Sequence, residues 1–182
     1  MQQVSTLSKW PFRCHSNAQA AGIASLVLFV IDLCLPIHSR GQPPPFVNST
    51  GRDPQVLVHD GTSNPQVFNP QKWNIIAPQS VFGATVVWEA TPFQHVDLPK
   101  YEADTLLQLS VRHSTQKSNW TAIQPQDGTN ITAGRRTARV VAMSVSDGNA
   151  QVELTVTFRE IPDSFAIVGD YEATVYATLT EH

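Results

Sequence analysis

The closing stretch of the chain, "GDYEATVYATLTEH", alternates without a break: Tyr171, Ala173, Val175, Ala177 and Leu179 share one face, and Glu172, Thr174, Tyr176, Thr178 and Thr180 the other. A period of two marks a strand with one face on a core. The same period runs through "TLLQLSVRH", where Leu107, Leu109 and Val111 recur with polar residues between them, and His113 follows in the row as its strand-end cap. From Trp73 onward the chain reads strand, turn, strand: "KWNIIA", "SVFGATVVWEATPF", "DTLLQLSVRHS", "NWTAI", "TARVVAMSVS", "AQVELTVTF" and the closing segment, with no stretch of helical periodicity. In "VSDGNAQVELTVTF" the residues Asp147, Gly148 and Asn149 suit a tight turn between two alternating runs, which predicts a hairpin whose inward row is Val152, Leu154, Val156 and Phe158. Short strands at this spacing predict an all-β fold, an antiparallel immunoglobulin-like β-sandwich over residues 73–182, with Trp88 as a central aromatic anchor.

The pattern changes toward the N-terminus. Residues 1–20 hold Lys9 and Arg13 and no acid, and the apolar run "AGIASLVLFVI" follows. Asp32 and Pro36 cut that run short of the ~20 residues a spanning helix needs. Residues 1–41 therefore read as an N-terminal signal segment, with cleavage expected near Gly41. Residues 42–72 read as a Pro- and Asn-rich extended leader lying along the edge of the domain, with "QVLVH" the strand candidate before Phe68.

Composition fits export. Charged residues make up 15% of the chain, against about 25% in an ordinary soluble protein. Both cysteines, Cys14 and Cys34, precede residue 42, so a processed chain forms neither a disulfide nor a thiolate metal site. The net charge of −3 becomes −5 on loss of residues 1–41, with 9 basic against 14 acidic residues left. That balance argues against a nucleic-acid surface, and the processed chain is expected to carry no membrane span. Asn48, Asn119 and Asn130 each open an N-x-T sequon, and are glycan sites if the source is eukaryotic.

Candidate chemistry is sparse. Glu89, His95, Asp97, Glu102 and Asp104 cluster in "WEATPFQHVDLPKYEAD", at spacings that match no metal motif. A secreted hydrolase or metal-dependent enzyme would use His95, Asp97 and Glu102 and requires them to converge in one pocket. No G-x-S-x-G, H-E-x-x-H, phosphate-binding loop or EF-hand array is present, so no catalytic, cofactor or metal residue is assigned. Arg135, Arg136 and Arg139 form a small basic group read as a solvated strand entry. Trp120, in "QKSNWTAIQPQDGTN", is either a core residue or an exposed aromatic anchor for a glycan or another protein.

The last strand remains the most informative feature. Gly169 is the fourteenth residue from the end and opens the alternating row, and Tyr171 is placed to act as a corner tyrosine. Here the chain resembles subunits of chaperone–usher fimbriae, whose last strand opens with such a glycine and continues in alternating apolar residues. It departs from them at Glu181, where those subunits carry an aromatic residue, and in lacking a disulfide after residue 41. The resemblance implies an incomplete sandwich that accepts a donated strand, with Gly169, Tyr171, Ala173, Val175, Ala177 and Leu179 along the partner edge. The alternative is the ordinary closing strand of a complete sandwich. On either reading the expected function is that of an exported, non-enzymatic structural or interaction module, secreted, at the cell surface or in the periplasm, whose partner is a protein or glycan.

Overall fold

The alternating runs become strands, and segments without alternation join them as short edge strands. The computed structural model describes residues 8–11, 44–50, 55, 64–78, 80–115, 119–161 and 167–182. In chain order the strands are β1 (Ser8–Pro11), β2 (Phe46–Ser49), β3 (Gln66–Val67), β4 (Gln71–Ala77), β5 (Ala84–Ala90), β6 (Phe93–His95) and β7 (Glu102–Ser114). They continue with β8 (Thr121–Gln124), β9 (Gln126–Gly128), β10 (Ala138–Met143), β11 (Gly148–Arg159), β12 (Tyr171–Glu172) and β13 (Thr174–Glu181). Every pairing is antiparallel. Among the described residues there is no helix, and hence none long and apolar enough to cross a membrane.

Two sheets share one core in a sandwich-like arrangement. The first runs β1-β13-β5-β10-β8, the second β12-β6-β7-β11-β4-β2, with β3 on β11 and β9 on β7. The period of two decides what each contributes: Val86, Trp88 and Ala90, Val140 and Ala142, and Val175, Ala177 and Leu179 are buried from one side. Trp73, Ile75 and Ala77, Leu107 and Leu109, and Val152, Leu154 and Val156 are buried from the other. The indoles of Trp73 and Trp88 meet edge to face across the middle, with centroids 6.2 Å apart. Burying each of the valine, leucine and isoleucine side chains in these rows stabilises the fold by about 1.5–3 kcal/mol before entropy is subtracted. At one end the core continues as an aromatic chain, Phe68 on Phe93, Phe93 on Phe158, Phe158 on Tyr171 and Tyr171 on His95.

The predicted hairpin at Asp147 and Gly148 is not one. The turn reverses the chain, but β10 lies in the first sheet between β5 and β8, and β11 in the second between β7 and β4. With both flanks of each strand already taken, the turn becomes an arch from one sheet to the other. The inward row of Val152, Leu154, Val156 and Phe158 is buried as expected.

His113 also departs from its expected place. The register between β7 and β11 shifts between Gln151 and Val152, so that Val111 faces Val152 while His113 faces Gln151 and Arg112 is left over. That bulge moves His113 out of the apolar row, and it is exposed. The leader supplies two edge elements, β2 on β4 and β3 on β11. The "QVLVH" candidate lies outside the described residues apart from Gln55.

Two crossings set up the corner that matters below. Between β5 and β6 the chain leaves the first sheet at Thr91 and Pro92, and between β12 and β13 it enters that sheet at Ala173. Thr91 and Thr174 lock the crossings together: the Thr91 N–H donates to the Thr174 carbonyl and the Thr174 N–H to Thr91 Oγ1, each at 3.1 Å.

Candidate functional site

Alternation gives β13 a buried row, Ala173, Val175, Ala177 and Leu179, and a half-exposed row, Thr174, Tyr176, Thr178 and Thr180. Its side chains are therefore committed to the core and the outer face, and what it offers a partner is backbone. One flank pairs with β5 from Val175 to Glu181. The other flank pairs with β1, Ser8 to Ala177, Lys9 to Tyr176, Trp10 to Val175 and Pro11 to Thr174. The edge of the last strand is thus closed over four residues by a segment of the same chain, from the region read in the sequence as an export signal. From Thr178 to Glu181 no described strand takes that flank.

Gly169 and Tyr171 do different work from the row they precede. Tyr171 pairs with His95 across β12 and β6, and its hydroxyl donates to the Ile167 carbonyl at 3.0 Å, four residues upstream. Gly169 sits against the His95 ring, where a Cβ would overlap Nε2. Burial pushes the Tyr171 phenol above its ordinary range, and the charge of Glu160 adds to the rise.

Below this edge, at the corner, lies a cavity of about 360 Å³ lined by Thr91, Pro92, Gln94, Glu102, Arg136, Glu172 and Thr174. Its floor comes from register: Glu172 faces Gln94 and Gln94 faces Glu102 across β12, β6 and β7, so the three side chains stand in a row on one face. Arg136 closes one side through an ion pair with Glu102, and that hydrogen bond raises the guanidinium further above its ordinary range.

The acid and histidine set expected of an enzyme does not converge. His95 is buried, and its Nδ1 accepts the N–H groups of Asp97 and Leu98, each at 3.1 Å, so it holds its own turn together. Asp97 is exposed, Glu102 is bound to Arg136, and Glu89 lies 3.9 Å from Arg139. Asp104 is buried and accepts from Thr129 Oγ1 and the Ile131 N–H. Among the described residues no three His, Cys, Asp or Glu side chains are placed to share a metal ion.

The arginine group is neutralised rather than free: Arg135 pairs with Asp127 at 3.0 Å, Arg136 with Glu102 and Arg139 with Glu89. Two of these pairs, Arg136 with Glu102 and Arg139 with Glu89, join residues far apart in the chain, so the acids and the arginines read as separate clusters in the sequence. Trp120 belongs to the core, 4% exposed, with its indole N–H 3.4 Å from the Gly148 carbonyl, so the exposed-anchor reading fails. The sequon residues Asn48, Asn119 and Asn130 are all exposed.

The chain matches no family model, no curated protein and no solved structure.

Proposed function

We propose that this protein is an exported, non-enzymatic structural or interaction module of immunoglobulin-like type, working at the cell surface or in the periplasm, that joins a protein partner by strand addition along the outer edge of β13. The observation that carries this reading is the seating of Ser8–Pro11 on Thr174–Ala177. An extended segment with no apolar alternation and a proline at its end is accepted there through backbone pairing. Export rests on the basic start, the short apolar run and the small residues before Gly41. Cleavage there removes the covering segment and leaves β13 as an open edge of the first sheet, which is the state a strand-adding partner needs. The Tyr171 corner bond supports the immunoglobulin-like reading. Fimbria-like assembly is the narrower form of the same idea, with the donated strand supplied by a neighbouring subunit.

The test is made in the full chain. Neighbouring N–H groups of a strand alternate in direction, so Lys9→Pro with Trp10→Pro deletes at least one donor facing β13 and disrupts β1. The Thr174 N–H is held by Thr91, so alternation turns the Val175 and Ala177 amides toward β1, and hydrogen exchange at those two should then speed up while the β5-facing amides keep their protection. Unchanged protection would show that Ser8–Pro11 does not close this edge, and a secreted product that still begins at Met1 would sink the export reading.

A further inference from the structure

An added strand can be selected only by its side chains, because backbone pairing is the same for any sequence. The corner cavity lies where such selection would occur. Thr174, the residue paired with Pro11, both begins β13 and lines the cavity. A strand running antiparallel to β13, as Ser8–Pro11 does, passes its last pairing position at the cavity mouth. Residues directly opposed in an antiparallel pair share a face, as do residues two apart in a strand. The residue opposite Thr174 and the one two further on therefore point to the side of the sheet on which the cavity opens.

The lining fixes the chemistry of what enters. Glu172 is half-buried, and among the described residues its carboxylate has no hydrogen-bond or ion-pair partner. Glu102 shares its carboxylate with Arg136. Gln94 gives one Nε2 hydrogen to the Pro99 carbonyl at 2.9 Å, and its amide oxygen is uncommitted among the described residues. The Thr91 hydroxyl oxygen already accepts from the Thr174 N–H. Two carboxylates against one guanidinium leave one net negative charge, and that guanidinium is already paired with Glu102. A carboxylate or phosphate entering this space would meet both acids, whereas an ammonium or guanidinium would find the donors' partners already in place.

We propose that this cavity is a side-chain pocket for a lysine or arginine carried by an extended segment that adds to β13, with Glu172 as the counter-charge. The proposal rests on the strand-addition reading of the β13 edge. It does not rest on the carboxylates alone, since a segment is already seated on the adjoining edge and runs toward the pocket. In this chain's own sequence the residue two beyond Pro11 is Arg13.

The experiment uses the full chain carrying Lys9→Pro and Trp10→Pro, with synthetic hexapeptides as probes: residues 8–13, "SKWPFR", and the same peptide with glutamine or glutamate in place of its arginine. Binding is followed by calorimetry, and the site by exchange protection of the Val175 and Ala177 amides. The arginine peptide should bind about five- to tenfold tighter than the glutamine peptide, the scale of one charge-assisted hydrogen bond at a partly exposed site. The preference should disappear in Glu172→Gln and pass to the glutamate peptide in Glu172→Lys, with the unfolding midpoint of each variant recorded alongside. Equal affinity of the three peptides, with Val175 and Ala177 protected, would overturn the pocket and leave strand addition standing. Failure of every peptide to protect Val175 and Ala177 would overturn both. A charge preference that survives Glu172→Gln would also overturn the assignment, because the counter-charge would then lie elsewhere.

Discussion

Gly169 leaves the space of its missing side chain to the imidazole of His95, since a Cβ there would overlap Nε2. The same ring receives the Asp97 and Leu98 N–H groups on Nδ1 and packs edge to face on Tyr171, with centroids 5.1 Å apart. His95 thus joins the turn after β6 to the entry of the last strand, which explains why a histidine amid acids is structural here. Gly169→Ala should destabilise the fold by about 1–3 kcal/mol through overpacking. His95→Ala should be costly alone yet should relieve most of the Gly169→Ala penalty when the two are combined. Urea unfolding of both single variants and the double checks this, and strict additivity would mean that the two residues are not in conflict.

Tyr171 gives the pH dependence. Burial favours the neutral phenol in the folded state, so its folded value lies above the unfolded one. The sign follows: the contribution is fully present below the unfolded value of about 10 and is lost as pH rises from there through the folded value. The melting temperature should fall more steeply above about pH 10 in the natural chain than in Tyr171→Phe. The same substitution should remove the latest-titrating part of the phenolate absorbance. If the two proteins lose stability in parallel through that range, Tyr171 is not the group responsible.

How much of this was legible in the sequence depends on how local each signal is. The buried row Ala173 to Leu179 could be read because side-chain direction in a strand repeats every two residues whatever the partner. The Asp147 and Gly148 turn was found but misassigned, because turn chemistry fixes that the chain reverses and not which sheet receives it. His113 was misplaced by a single unpaired residue at Arg112, which inverts facing and leaves no mark in composition. β1 could not be seen, since "SKWP" has no alternation and contributes a backbone ladder. The ion pairs of Arg136 and Arg139 were equally hidden, because their acids, Glu102 on β7 and Glu89 on β5, lie far away in the chain.

Asp104 illustrates an acid that the sequence grouped with candidate ligands and the fold uses as an anchor. Its Oδ1 accepts from Thr129 Oγ1 at 2.8 Å and from the Ile131 N–H at 3.0 Å, while Thr129 Oγ1 accepts from the Thr105 N–H at 2.8 Å. Asp104→Ala leaves a buried hydroxyl and a backbone donor without acceptors, a cost of about 1–3 kcal/mol. Asp104→Asn keeps an oxygen in place and should lose less. Amide exchange at Ile131 should accelerate in the alanine variant before the rest of the sheet responds, and an unaltered rate there would refute the anchoring role.

The paired indoles at the centre carry an unusual burden. Trp73 and Trp88 are 1% and 0% exposed, and among the described residues neither Nε1 has a hydrogen-bond partner. Each therefore combines a large apolar gain with the penalty of a buried donor left unmade. Trp88→Phe separates the two effects: it deletes the orphan N–H and the second ring, so desolvation relief opposes a small void, and the net change should stay within about 1.5 kcal/mol. Trp88→Ala removes the whole contact with Trp73 and should cost about 3–5 kcal/mol. The gap between the two variants, measured by reversible unfolding in denaturant, is the informative quantity. A phenylalanine variant as unstable as the alanine one would mean that the indole N–H is satisfied in solution and that Trp88 is held by more than its packing.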